Sequence, residues 1–372
     1  MMKTIRSIAL FFVLFLLSCG DQSNPQPQCD VEGISLTHKS RTIKGSAETQ
    51  GTEYHIAISI DGKAVDAIAD TGSSNLIVNN DSGFSPSGSS IEKPFQISYG
   101  DGANLNTVHL TPYNGVVALN CASSSVSYTY GDVSSTDPAD YQAETLLGLA
   151  YPSIQTGPQV GTFLDLLVKN NPGMHNEISM LLCGADNKNS KIKFGGLGAA
   201  VPPKKAFEYV PLVEQSYYVI NAGEVTIGGV SMGNLSTDRT RRTIVDSGTT
   251  LNLVPQSIYN AIALKLGFTG SYGVELSCPS TAVLAQLPPV MIALDNLVTL
   301  TIKPETYYKQ IGNGACFFGF MPTNGNLNIL GQVTMENYHV HFIREQTPEL
   351  PAPADSFTHG AIGFSENDDC KN

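Results

Sequence analysis

Ala67-Ile68-Ala69-Asp70-Thr71-Gly72-Ser73-Ser74 returns later in the chain as Thr243-Ile244-Val245-Asp246-Ser247-Gly248-Thr249-Thr250. Each copy is an apolar run that ends in Asp, followed by a hydroxyl residue, Gly and two more hydroxyl residues. A second landmark follows each copy. Gly148 of Leu146-Leu147-Gly148 lies 78 residues after Asp70, and Gly331 of Ile329-Leu330-Gly331 lies 85 after Asp246. A single Asp-Thr-Gly makes an ordinary turn. Two copies, each with an apolar-apolar-Gly partner at similar spacing, predict two lobes of similar construction, each with one aspartate at the end of a buried strand.

Around these landmarks the pattern is one of short strands. Tyr54 to Ile60 alternates, Asp61-Gly62 offers a two-residue hairpin turn, and Ala64 to Ala69 resumes the alternation. With 35 Gly and 21 Pro in 372 residues, turns are favoured over long helices. Two short helices are expected. Thr162 to Asn171 carries an apolar face of Phe163, Leu164, Leu166 and Leu167, and Pro255 to Leu266 starts with Pro at the first helical position and stops at Gly267. The expected class is all-β with few short helices.

Composition narrows the function. The formal charge is −12, from 33 acidic and 21 basic residues. Polyanion binding needs basic clusters, which are missing, so nucleic acid is not an expected partner. Lys3 and Arg6 precede an apolar run from Ile8 to Leu17 and the small residues Ser18, Cys19 and Gly20, which reads as a secretory signal. Leu16-Leu17-Ser18-Cys19 also resembles a bacterial lipobox, in which Cys19 is lipidated and becomes the first residue; ordinary cleavage after Gly20 is the alternative. Loss of the signal takes away two bases and no acids, leaving −14 and a chain suited to acidic surroundings. Both cleavage readings leave six cysteines, Cys29, Cys121, Cys183, Cys278, Cys316 and Cys370. An even, widely spaced set in a secreted chain reads as three disulfides, of which 15 pairings are conceivable. There is no CxxC pair to suggest a zinc ribbon.

Several motifs carry less. Gly229-Val230-Ser231-Met232-Gly233 fits GxSxG, but the polar Asn234 to Arg242 offers no helix after it, so a hairpin turn is expected. Gly196-Leu197-Gly198 lacks a third Gly and a βαβ setting. His339-x-His341 puts two imidazoles on one strand face with no carboxylate cluster near in sequence, and no metal site is expected. Asn80-Asp81-Ser82 and Asn234-Leu235-Ser236 are glycosylation sequons with meaning only in a eukaryotic secretory pathway.

Two carboxyls that meet between lobes cannot both ionise easily, so one keeps a proton over a wide pH range. One ionised and one protonated carboxyl can clamp a water: the first takes its proton as it attacks a carbonyl, and the second donates to the developing oxyanion or leaving amine. Such chemistry needs no metal and no organic cofactor. From about Thr52 to Glu366 the chain resembles the pepsin family of aspartic endopeptidases. The resemblance implies an all-β, bilobal fold with a cleft between pseudo-symmetric lobes and catalytic aspartates at Asp70 and Asp246. It implies Thr71 and Ser247 in a mutual hydroxyl grip, and Ser73 and Thr249 as outer donors to the carboxyls. Ile97-Ser98-Tyr99-Gly100-Asp101-Gly102 matches the flap hairpin, with Tyr99, Gly100 and Asp101 over bound substrate. Leu146 to Ser153 and Ile329 to Gly331 match strands that thread beneath each Asp loop.

The sequence also departs from the family. Its usual Trp, hydrogen-bonded to the flap Tyr, is replaced by Ile77, so Tyr99 lacks its customary partner. Only 29 residues separate Asp70 from Tyr99. The resemblance pairs Cys278 with Cys316. Lobe membership then suggests Cys121 with Cys183, leaving Cys29 with Cys370. The expected organisation is a signal over 1–19, a tether or short prosegment over 20–45, lobes over 46–205 and 206–366, and a tail over 367–372. The expected activity is endopeptidase cleavage of polypeptides at acidic pH. The protein would be a secreted or extracytoplasmic monomer, with membrane contact only through a lipid on Cys19. The alternative is a non-catalytic binding or inhibitor protein of the same fold.

Overall fold

The computed structural model describes residues 33–43, 49–79, 83–100, 105–119, 125–139, 141–158, 161–185, 187–195, 205–236, 242–312, 314–323, 325–345, 350, 357–368 and 370. Asp61 and Gly62 both take positive φ, 51° and 77°. That turn joins the strands Thr49–Ile60 and Lys63–Asp70, with Ile60 opposite Lys63, and it suits residues that tolerate the left-handed region. The second strand sinks as it runs. Lys63, Ala64 and Asp66 are exposed, whereas Ala67, Ile68, Ala69 and Asp70 are buried.

Leu146–Gly148 lies parallel to that strand, pairing Ile68 with Leu146 and Asp70 with Gly148, and antiparallel to Leu76–Val78. A three-residue strand is thus threaded between the two arms of the Asp70 loop. The second half repeats the device: Leu327–Leu330 runs parallel to Arg242–Val245 and antiparallel to Asn252–Pro255. Space explains the Gly that ends each threaded run. A Cβ on Gly148 would lie 2.6 Å from the Asn75 backbone nitrogen, and one on Gly331 would lie 2.4 Å from the carbonyl oxygens of Leu251 and Thr249.

Of the described residues, 50% are strand and 12% helix, and the protein is all-β and bilobal. One thirteen-stranded sheet starts with strands of the second half, Glu208–Pro211, Ala361–Glu366 and Tyr338–Ile343. It continues through Glu177–Leu181, Lys191–Phe194 and Ile34–Ile43 into the first-half strands, and ends at the edge strand Phe95–Gly100. The two halves therefore share a sheet. The second half adds sheets of six, four and three strands, the six-stranded one holding the Asp246 motif. A core cluster extends from Tyr54 and Ile56 to Phe342 and Phe364, and a smaller one gathers Ile77, Val108, Leu110 and Ala143.

The two expected helices form. Phe163–Asn170 buries Phe163, Leu164 and Leu167 behind a capping box: Asp165 N–H donates to Thr162 Oγ1 at 3.3 Å, and Thr162 N–H donates to the Asp165 carboxylate at 3.0 Å. Gln256–Leu266 ends at Gly267, which takes φ 68°. Pro255 is its N-cap and the last residue of a strand, not the first helical residue. The GxSxG stretch is a hairpin arm, with Val230 opposite Ile227 across Gly228-Gly229.

Ile34–Ile43, within the stretch expected as a tether or short prosegment, is a strand hydrogen-bonded to Thr49–Ile60 on one side and Lys191–Phe194 on the other. One expectation is corrected: the disulfide pairing differs in part. Cys278 is bonded to Cys316, with Cα atoms 5.0 Å apart. Cys183, however, is bonded to Cys370, with Cα atoms 5.2 Å apart, so neither the Cys121–Cys183 nor the Cys29–Cys370 pairing holds. The cause is the shared sheet: Glu177–Leu181 pairs with Tyr338–Ile343, which pairs with Ala361–Glu366, bringing the ends of a first-half and a last strand together. Cys19, Cys29 and Cys121 lie outside the described residues.

Candidate active site

Each aspartate is held in the same way. Gly72 N–H donates to Asp70 Oδ1 at 2.8 Å, and Ser73 Oγ donates to Asp70 Oδ2 at 2.5 Å. Gly248 N–H donates to Asp246 Oδ1 at 2.8 Å, and Thr249 Oγ1 donates to Asp246 Oδ2 at 2.6 Å. The loops lean on one another. A Cβ added to Gly72 would sit 2.5 Å from the Asp246 carboxyl carbon, and one added to Gly248 would sit 2.3 Å from Asp70 Oδ1. Only glycine lets each loop's backbone approach the opposite carboxyl this closely, so each carboxyl is seated against the other loop's glycine.

Beneath them the loops exchange four buried hydrogen bonds. Thr71 N–H donates to Ser247 Oγ at 3.0 Å, and Ser247 N–H donates to Thr71 Oγ1 at 2.9 Å. Each hydroxyl passes its proton across: Thr71 Oγ1 to the Val245 carbonyl at 3.0 Å, and Ser247 Oγ to the Ala69 carbonyl at 2.6 Å. Every donor and acceptor in the grip is matched, so it holds the two backbones rigidly at the point where the carboxyls meet.

Sequence reasoning missed a second layer. Gln332, fully buried, donates to the carbonyls of Thr52 and Ser247 at 2.9 Å each and accepts from Thr52 Oγ1 at 2.6 Å. Thr250 Oγ1 accepts from Thr52 N–H at 2.9 Å. The signal was available, because Gln332 follows the second Gly landmark directly. On the opposite side, Tyr218 hydroxyl donates to the Leu149 carbonyl at 2.8 Å, which ties the second half to the strand behind Asp70.

Burial, followed by the facing Asp246 carboxyl, holds Asp70 well above the usual carboxylate range, against the lowering effect of the Ser73 and Gly72 hydrogen bonds. Two neighbouring carboxyls in a buried site cannot both ionise easily. Tyr99 is at the end of the edge strand Phe95–Gly100, opposite Asn106. Burial, and next the Asp70 charge, raise its phenol far above the ordinary tyrosine value. Gly100 closes that strand opposite Leu105, and Asp101 lies outside the described residues. The half-buried Tyr217, another residue the sequence reading did not single out, feels Asp246 and Asp70 in turn. Asp70, Asp246, Thr71, Ser73, Ser247, Thr249 and Tyr99 thus form one constellation at the junction of the halves.

The family model described as eukaryotic aspartyl protease matches residues 53–348. Among curated proteins, the chain is 29% identical to pepsin A of Gallus gallus over 317 residues, covering 78% of this chain and 81% of that one. It is 28% identical to pepsin A of Bos taurus over 320 residues, covering 79% and 82%. It is 28% identical to gastricsin of Suncus murinus over 299 residues, covering 73% of each.

Proposed function

The chain belongs to the pepsin-like aspartyl protease family, and on that premise we propose that it is an endopeptidase that hydrolyses polypeptides at acidic pH through a water activated by Asp70 and Asp246. The observation that carries this reading is the packing of each carboxyl against the glycine of the opposite Asp loop, Asp246 against Gly72 and Asp70 against Gly248. With one proton shared between them, the ionised carboxyl removes a proton from water as its oxygen attacks the peptide carbonyl carbon. The protonated carboxyl gives its proton to the carbonyl oxygen, which yields a neutral tetrahedral diol. In the second half of the reaction one carboxyl protonates the amide nitrogen, the other takes a diol proton, and the C–N bond breaks. The hydrogen bonds from Ser73 and Thr249 keep both carboxyls oriented through the exchange. Tyr99, at the end of its edge strand, serves as the flap residue that closes over the bound chain.

Activity that needs one ionised and one protonated carboxyl gives a bell-shaped profile on the acid side. Cleavage of a peptide library at several pH values, with inhibition by a statine-containing peptide, tests the reading. Resistance of every peptide to the folded protein would count against it. The two disulfides suit an oxidising, extracytoplasmic setting. The Leu16 to Cys19 stretch supports export and lipidation at Cys19, because a multiply acylated cysteine anchors a protein stably. Intact mass of the native protein should place a lipidated Cys19 first; an unmodified chain starting at Asp21 would leave a secreted protein without the anchor.

A further inference from the structure

The Tyr99 hydroxyl is buried and has no hydrogen-bond partner among the described residues. Buried phenol hydroxyls are ordinarily partnered. Its ring packs on the small cluster of Ile77, Val108, Leu110 and Ala143, none of whose side chains carries a donor or an acceptor. Tyr141 packs on the same cluster, and its phenol lies close enough to act on that of Tyr99.

The backbone around Tyr141 is fixed. Its N–H donates to the Pro138 carbonyl at 3.0 Å, and its carbonyl accepts from Thr136 Oγ1 at 2.9 Å. Thr136 is opposite Val108, and Val108 is opposite Ile97 in the strand that carries Tyr99. Two residues on, the Ala143 carbonyl accepts from Asn79 Nδ2 at 2.6 Å. The segment then enters Leu146–Gly148, the strand threaded beside Asp70. One short stretch thus connects the neighbourhood of Tyr99 to that of the catalytic loop.

We propose that Tyr141 is a positioning residue for Tyr99: its ring, packed on the cluster that holds Ile77 and Ala143, keeps the Tyr99 phenol in place with its hydroxyl uncommitted, and the backbone of a bound peptide supplies the missing partner. The proposal rests on the endopeptidase reading for its substrate. Ile77 is too short and too apolar to orient a phenol, so the Tyr141 ring packed on the same cluster does so. A Tyr99 hydroxyl with no partner of its own adds its hydrogen bond to peptide binding without first breaking another.

The test is a double-mutant cycle on Tyr141→Ala and Tyr99→Phe, read by calorimetric affinity for a statine-containing peptide and by kcat and KM for a cleaved peptide. Tyr141→Ala should weaken the affinity and raise KM by about tenfold in the wild-type background, and by under about threefold when Tyr99 is already Phe. Tyr141→Phe, which keeps the ring, should stay within about twofold of wild type. Tyr141→Leu takes the place of the alanine variant if thermal unfolding shows the latter to be misfolded. Equal losses in the two backgrounds, or no loss in either, overturn the role of Tyr141. If the wild type binds the statine peptide and cleaves nothing, the endopeptidase reading fails while the affinity cycle still decides Tyr141. If it does not bind at all, both fall.

Discussion

Asp70 is a carboxyl in the wrong place for its own stability. Its folded pKa is raised, by burial first and the Asp246 charge second, so protonation favours the folded state. That contribution is fully present below the ordinary carboxylate value near 3.8 and is lost as pH rises through the raised folded value. The protein should therefore lose stability from about pH 4 towards neutrality. Asp70→Asn is close in shape and cannot ionise. Its thermal midpoint should match wild type near pH 3 and exceed it by at least about 2 °C at pH 7, while cleavage is lost. Equal midpoints at both pH values would contradict the buried-pair account. Similar logic applies to the hydroxyl grip. Thr71→Val keeps the volume but removes a buried donor and acceptor, so the Ser247 N–H is left unpaired. We expect about 1–3 kcal/mol of destabilisation in denaturant unfolding and a larger fall in kcat than in KM.

At the scale of elements, the two threaded strands fix where the aspartates point. Gly331→Ala should be severely destabilising, because its Cβ meets two backbone oxygens that cannot move without opening the Asp246 loop. An alanine variant that folds and cleaves like wild type would show that this packing is less tight than described. Thr162→Ala, which removes a helix cap outside the two Asp loops, should cost about 1 kcal/mol and leave kcat unchanged. These elements also show what the sequence could reveal. The Asp-hydroxyl-Gly repeats and their apolar-apolar-Gly partners were legible because each residue is demanded by local geometry: a turn, a carboxyl at a strand end, a backbone crossing with no room for a Cβ. The hairpin at Asp61-Gly62 was legible for the same reason. Ile34–Ile43 was not, because what holds it as a strand is its pairing with Thr49–Ile60 on one side and the sequence-distant Lys191–Phe194 on the other. Gln332, Tyr141 and Tyr217 were missed because their importance lies in which distant residues they meet.

The whole molecule is organised around the meeting of its halves. The shared sheet puts Glu177–Leu181 against Tyr338–Ile343, and this long-range pairing defeated an assignment of disulfides by lobe. Buried contacts reinforce it. Lys309, Glu336 and the Tyr54 hydroxyl form one linked group across the halves, and Arg344 lies over the Tyr151 ring at 4.4 Å while pairing with Asp165 at 3.0 Å. The Cys183–Cys370 bridge closes a loop of 187 residues, so Cys370→Ala should lower stability by about 2–4 kcal/mol without altering the dyad. Normal stability in that variant would show the sheet sufficient by itself.

The central claim is that one aspartate from each half makes a single catalytic unit, and cleavage of one peptide by wild type, Asp70→Asn, Asp246→Asn and the double variant across pH 2–8 tests it most directly, the range being set around carboxyl pKa values of about 4. A unit with a shared proton loses nearly all activity with either member, so each single variant should fall by at least about 10³-fold, the double should be little worse, and wild type should trace a bell on the acid side. Near-wild-type cleavage by either folded single variant, or losses in the singles that multiply in the double, would contradict it.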